Sequence, residues 1–190
     1  MITVVTSNSG RCGTSLTMQM LQASGVPLFW NRLPNKTSIN PFGHYELQGR
    51  RADWTPEHVS SVCNQAEGKA IKVFWSKLEL LNKAHNYQFI ELQRDPECMF
   101  DSQTVMLKEE NRMHEKADPK RTVDGIKSSQ GALHGWLQGK RHITLHFYQL
   151  FNGEGPAAIA EFLNLDSISV AKMMECAEPS LWHFKPKEIK

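Results

Sequence analysis

Hydrophobic and polar positions change period several times along the chain. Ile2 to Val5 is a short β-branched run that favours an extended strand, and Leu16, Met20 and Leu21 then return at helical spacing from Thr14 to Ala23, until Gly25 stops the pattern. The opening therefore predicts a strand, a turn and a helix. Residues 26–53 are rich in Pro, Asn, Gly and aromatics without steady periodicity, which predicts a long ordered loop or lid. Thr55-Pro56-Glu57 combines a cap, a first-turn proline and an early acid, predicting a helix to about Glu67 that Gly68 ends. Ala70 to Trp75 predicts a second strand, Ser76 to His85 a helix carrying Leu78, Leu80 and Leu81, and Tyr87 to Leu92 a third strand. Arg94-Asp95-Pro96 breaks that strand, Asp95 and Pro96 being suited to cap and start a helix from Glu97 to about Glu110. Val123 to Leu137 predicts another helix, Ile143 to Phe147 a fourth strand, and Gly155 to Leu163 and Ser167 to Ala177 two closing helices.

Strands alternating with helices imply a parallel sheet covered on both faces, in which ligands bind beyond the carboxyl ends of the strands. Four segments fall at such ends: the opening turn, Lys72 to Trp75, Arg94 to Pro96, and Tyr148-Gln149. Residues 1–190 match the length of one domain with a real core. Apolar residues at 40% and charged residues at 22% fit an ordinary folded protein rather than a disordered or membrane chain. A net charge of +2 is too mild for a nucleic-acid groove, so no nucleic-acid partner is expected. The charged stretch at 109–121 reads as a solvated helix end and loop. No apolar run approaches a membrane span and no basic-then-apolar leader opens the chain, which predicts a cytoplasmic protein. Cys12, Cys63, Cys98 and Cys176 lie far apart, with no CxxC pair or zinc-spaced His cluster, and read as reduced thiols.

The turn itself, "TSNSGRCGTSLTMQML", has the makings of an anion site. A helix N-terminus leaves backbone N–H groups unpaired and carries about half a unit of positive charge. Gly10 and Gly13 allow close backbone approach, Thr14 and Ser15 bring hydroxyls, and Arg11 adds a permanent forked cation. The common nucleotide loop is GxxxxGK[ST]; over Asn8 to Ser15 this chain has Asn8 for its first glycine and Thr14 for its lysine, which weakens a magnesium–triphosphate reading.

"SGRCGTSLTMQML" resembles the phosphosulfate-binding loop of the P-loop sulfotransferases. "RDPECMFDS" resembles their second motif, an Arg at a strand end with a Ser eight positions later, and "NPFGHYEL" and "HFYQLF" with "AAIAEFLNL" resemble two further segments of the bacterial-type branch. The likeness implies a P-loop NTPase-like three-layer α/β/α sandwich with a central parallel sheet. It implies 3′-phosphoadenosine 5′-phosphosulfate as cofactor, 3′-phosphoadenosine 5′-phosphate as product, no metal, and sulfuryl transfer to a hydroxyl or amine of a small-molecule or carbohydrate acceptor.

By the same resemblance Arg11 serves the phosphosulfate bridge and the leaving phosphate, and Gly13, Thr14 and Ser15 hold the 5′-phosphate. Cys12 stands where serine is usual, so only its backbone N–H is offered, and a small buried filler is the competing reading. Arg94 and Ser102 match the 3′-phosphate pair; a surface ion pair with Asp95 or Asp101 is the alternative for Arg94. Tyr148 falls where an aromatic lies near the adenine. Lys72 corresponds to a lysine set against the transferring group, or else snorkels from a strand end. The acceptor must lose a proton, and His44 and Glu46 are both base candidates, Glu46 the favoured one; the alternative for Glu46 is an ion pair with Arg50 or Arg51. Phe29, Trp30, Phe42, Tyr45 and Trp75 are expected around the acceptor. His142 and His146 share a strand face but lack a third metal ligand. Competing functions are a small-molecule or nucleotide kinase and a non-catalytic nucleotide-binding domain of the same fold.

Overall fold

The structure is a computed structural model that describes residues 1–30, 45, 47, 53–109 and 118–177. Among these, four parallel strands, β1 (Ile2–Thr6), β2 (Ala70–Lys72), β3 (Tyr87–Gln93) and β4 (His142–His146), lie in the order β2-β1-β3-β4. Val4 sits in register with Ile71 on one side and Phe89 on the other, and Ile90 with Ile143. All of β1 is buried, because a strand apolar on both faces is stable only between two covering layers.

Among the described residues seven α-helices cover the sheet: α1 (Thr14–Ala23), α2 (Pro56–Ala66), α3 (Trp75–Leu78), α4 (Pro96–Glu109), α5 (Pro119–Leu137), α6 (Glu154–Leu163) and α7 (Ser167–Glu175). On one face Ile2, Val4, Ile71 and Phe89 pack with Val59 and Val62 of α2 and Leu133 and Leu137 of α5. On the other, Val5, Ala70, Ile90 and Leu92 pack with Met18 and Leu21 of α1, Ile159 of α6 and Met173 of α7. The result is a three-layer α/β/α sandwich, the architecture expected from the alternation of elements.

The second strand is shorter than its apolar run. Its partner β1 ends at Thr6, and although Val73 N–H still reaches Val5 O (3.0 Å) and Trp75 N–H reaches Ser7 O (3.1 Å), the chain is leaving the sheet. The helix expected over 76–85 is only Trp75–Leu78; beyond it Asn82 turns the chain, its Oδ1 accepting from Ala84 N–H (2.9 Å) and its carbonyl from the Tyr87 hydroxyl (2.7 Å). In the other direction α5 starts four residues before Val123, because Asp118 caps it by accepting from Lys120 N–H (3.0 Å) and Arg121 N–H (3.3 Å), with Pro119 in the first turn. The beginning of the expected loop at 26–53 pairs with the open edge of β2: Ala70 N–H donates to Pro27 O (2.8 Å) and Phe29 N–H to Ala70 O (2.9 Å). Among the described residues no helix is long and apolar enough to cross a membrane.

Candidate anion-binding site

The carboxyl ends of β1, β2 and β3 meet around the loop from Ser7 to Gly13. Gly13 enters α1 with φ +90°, and a Cβ there would lie 2.7 Å from Leu150 Cδ1 and 2.8 Å from Phe147 Cδ2, so no other residue fits both the turn and its neighbours. Gly10, in contrast, has nothing within 4 Å of an added Cβ and no positive φ, so the loop's curl does not depend on it. The left-handed position between them is taken by Arg11, at φ +75°. For a residue with a Cβ this costs about 1–2 kcal/mol.

The loop is braced from three sides. Arg94 donates through an Nη to the Arg11 carbonyl (2.9 Å) while its guanidinium lies over the Phe147 ring, 4.1 Å from the centroid. Gln103 of α4 donates to Ser9 Oγ (2.9 Å), and Asn8 donates to Ser129 Oγ (3.0 Å) and Ile126 O (3.2 Å) of α5. Asp95 caps α4 as expected, its Oδ1 accepting from Cys98 N–H at 2.9 Å. Arg94 is 7% exposed, and burial lowers its pKa from the ordinary guanidinium value.

Two pairs of polar groups stand out within this frame. Arg11 Nε donates to Ser102 Oγ at 2.9 Å, joining the loop to the first turns of α4. Lys72 Nζ, at the end of β2, donates to Ser15 Oγ at 3.0 Å in the first turn of α1, and also lies 5.1 Å from the centroid of Phe74. Lys72 is 4% exposed, so it does not snorkel to solvent. Cys12 is fully buried against Met99, Sγ to Sδ 3.4 Å, and burial pushes its thiol up to about 12. Its side chain is a buried neutral thiol that fills space rather than a reactive group.

Tyr148 lies in the 3₁₀ turn Phe147–Leu150 that follows β4, exposed and stacked on His146 (centroids 5.7 Å apart). His142 meets His134 edge-on (6.2 Å). Among the described residues no group of three or more His, Cys, Asp and Glu is placed to hold a metal. His44, Glu46 and Phe42 lie outside the described residues. Tyr45, expected in an acceptor pocket, is instead buried in the core, donating to Gln22 Oε1 (3.0 Å) with its ring edge-on to Trp30 (5.6 Å); Trp75 likewise packs on Trp136 (5.9 Å).

Three features escaped the sequence reading. Gln103 and Phe147 brace the loop and its arginine, and only their adjacency to Ser102 and Tyr148 could have pointed to them. Glu91, in the middle of an apolar strand, is fully buried; it accepts from Thr144 Oγ1 (2.7 Å) and Gln93 Nε2 (3.1 Å) and faces His134 Nδ1 (3.0 Å). It pairs in register with Thr6, whose hydroxyl has no hydrogen-bond partner among the described residues.

No protein-family model matches the chain, and no curated protein does. Solved structures do. The sulfotransferase domain of the Synechococcus PCC 7002 olefin synthase superposes with a TM-score of 0.55 at 16% identity, over 97% of this chain and 82% of that one. A sulfotransferase domain from the curacin biosynthetic pathway gives 0.52 at 15% identity, over 93% and 77%. The chain thus shares the three-layer α/β/α fold of these domains, a likeness of architecture that leaves chemistry to be argued from the site.

Proposed function

We propose that this site binds 3′-phosphoadenosine 5′-phosphosulfate and that the protein transfers the sulfuryl group to an acceptor hydroxyl or amine. The observation that carries the reading is the donor set: two cation–hydroxyl pairs, Lys72–Ser15 and Arg11–Ser102, at the carboxyl ends of parallel strands and flanking the start of α1. A ligand with two separate anionic groups satisfies both, and a helix N-terminus between them favours negative charge. The group fits the residues present: Lys72, Ser15, Thr14 and the N–H groups of Cys12 and Gly13 would hold its 5′ end, and Ser102 and Arg11 its 3′ phosphate, with Arg94 bonded to the Arg11 carbonyl behind them. When bound, the cofactor supplies an activated sulfuryl group and a phosphate leaving group.

The protein's part is orientation and neutralisation. Lys72, desolvated at the end of β2, places a positive charge where negative charge would build up, and the loop's fixed amides do so without reorganising. Glu46, with His44 as the other candidate, takes the acceptor's proton.

Scanning fluorimetry tests the binding claim. Adenosine 3′,5′-bisphosphate should raise the melting temperature in EDTA, whereas ATP with magnesium should do so only for a kinase. Radiolabelled sulfuryl transfer to an acceptor panel tests the chemistry. Lys72→Ala should lower the rate by a factor of about 100 or more, as expected for losing one preorganised electrostatic contact, and Glu46→Ala more than His44→Ala. Binding without transfer to any acceptor would leave a nucleotide-binding protein and remove the enzyme.

A further inference from the structure

We infer that, given the bisphosphate ligand proposed above, the two arginines of this site divide their work in the reverse of the order the motifs suggest. Arg11 contacts the 3′-phosphate, and Arg94 is a positioning residue that holds Arg11 there. The motif resemblance places Arg11 at the sulfuryl end and Arg94 on the 3′-phosphate; the geometry differs at both.

Arg11 leans away from the start of α1. Its Nε is 2.9 Å from the hydroxyl of Ser102, the group the second motif assigns to the 3′-phosphate. The other end of the site already has a cation: Lys72 arrives from β2 and meets Ser15 in the first helical turn at 3.0 Å. Arg94, meanwhile, is committed inward. It is 7% exposed, its guanidinium sits over the Phe147 ring, and it donates to the carbonyl of Arg11 itself. To touch a ligand it would have to give up a buried stacking contact and the bond that stabilises a strained residue. A guanidinium so placed fixes the carbonyl, and with it the direction, of the residue it bonds.

The consequence is a specificity device. Discrimination between a 3′,5′-bisphosphate and a nucleotide lacking the 3′ group resides in a residue of the first loop, and Arg94 influences it only through that residue.

Calorimetric titration of the full chain with adenosine 3′,5′-bisphosphate and with adenosine 5′-monophosphate tests this through the ratio of the two affinities. Arg11→Gly is the probe of choice, because glycine accepts the left-handed backbone; a melting curve checks that the variant folds, and Arg11→Lys, which keeps charge but loses the fork, serves as a second probe. The bisphosphate preference should fall at least about tenfold in Arg11→Gly, the size of one charge-assisted contact, and less in Arg11→Lys. Lys72→Ala should weaken both ligands and preserve the ratio. Arg94→Ala should lower the ratio in the wild-type background and leave it unchanged in Arg11→Gly, since a residue acting through another loses its effect when that other is gone. The inference is overturned if Arg11→Gly weakens both ligands equally, or if Arg94→Ala lowers the ratio equally in both backgrounds. A wild-type protein that binds neither nucleotide, or shows no preference for the bisphosphate, overturns the bisphosphate reading itself and this inference with it.

Discussion

The two ends of the sheet carry similar numbers of cations and use them differently. At the carboxyl end Arg11 and Lys72 bond to the side-chain hydroxyls Ser102 and Ser15, and Arg94 to a loop carbonyl. At the amino end a cavity of about 530 Å³ is walled by Tyr87, Phe89, Trp136 and Leu81 and rimmed by Lys140 and Arg141. There Lys140 bonds to the Trp136 carbonyl and lies over its ring (4.0 Å), and Arg141 bonds to the Phe162 carbonyl (3.0 Å) and stacks on its ring (5.1 Å). The physical reason is the polarity of a parallel sheet. Helices that follow strands begin at the carboxyl edge and those that precede strands end at the amino edge, so N–H groups crowd one edge and carbonyls the other. Cations at the amino edge answer helix carbonyls, as Lys140 and Arg141 do at the ends of α5 and α6. Cations at the carboxyl edge add to a field that already favours anions. The cavity at the amino edge is therefore not the better candidate for the chemistry.

Perturbing each end separately tests that contrast. The largest effect should come from Gly13→Val: the new side chain meets Leu150 and Phe147 and the backbone stays at φ +90°, a combined loss of roughly 3 kcal/mol or more that a denaturant melt would show. A variant melting with the wild type would mean that the loop is not held as described. At the opposite end Trp136→Ala removes contacts with Trp75 and Phe89 and should cost about 2 kcal/mol without changing nucleotide affinity; a loss of affinity would break the separation between the ends.

The buried thiol gives a smaller, pH-dependent effect. Cys12 is raised from 9.0 to about 12 in the folded protein, so between those values the unfolded chain holds fewer protons than the folded one and stability falls as pH rises. The contribution is fully present below pH 9 and amounts to about 1.4 kcal/mol lost at pH 10. Burial also raises Cys98, Cys176, Tyr45 and Tyr87, which push the same way. In Cys12→Ala, chemical denaturation from pH 8 to 10.5 should therefore show a shallower decline rather than none; an unchanged slope would place the thiol's burial in doubt. The smallest effect expected is that of Ser15→Ala, which removes the partner of Lys72 and should weaken nucleotide binding about three- to tenfold, with stability within about 1 kcal/mol of wild type.

Much of the architecture was legible because it rests on local pattern. The β-branched run at Ile2, the cap at Thr55-Pro56 and the capping Asp95 each act within a few residues, and each appears where its chemistry requires. Asp118-Pro119 is an equally local signal, masked by the charge around it. The end of β2 was not legible, because strand length depends on where the neighbour stops and β1 is 64 residues away at its last residue, Thr6, from the start of β2 at Ala70. Of the site, the residue types and spacing of Arg11, Ser15, Lys72, Arg94 and Ser102 were visible, but their partners were not.

The amino-acid order alone determined which segments became strands and helices, that the strands run parallel, and that glycine, arginine and hydroxyl residues gather where a strand feeds a helix. Periodicity, capping and turn chemistry decide such matters over distances of a few residues. Only the tertiary structure decided that Arg11 leans to Ser102, that Arg94 is spent on Arg11 and Phe147, that Lys72 is buried beside Ser15, and that a carboxylate at Glu91 sits in the core. The contacts of Arg11, Arg94 and Lys72 named here join residues 53 to 91 positions apart, where direction and burial are set by how whole layers pack.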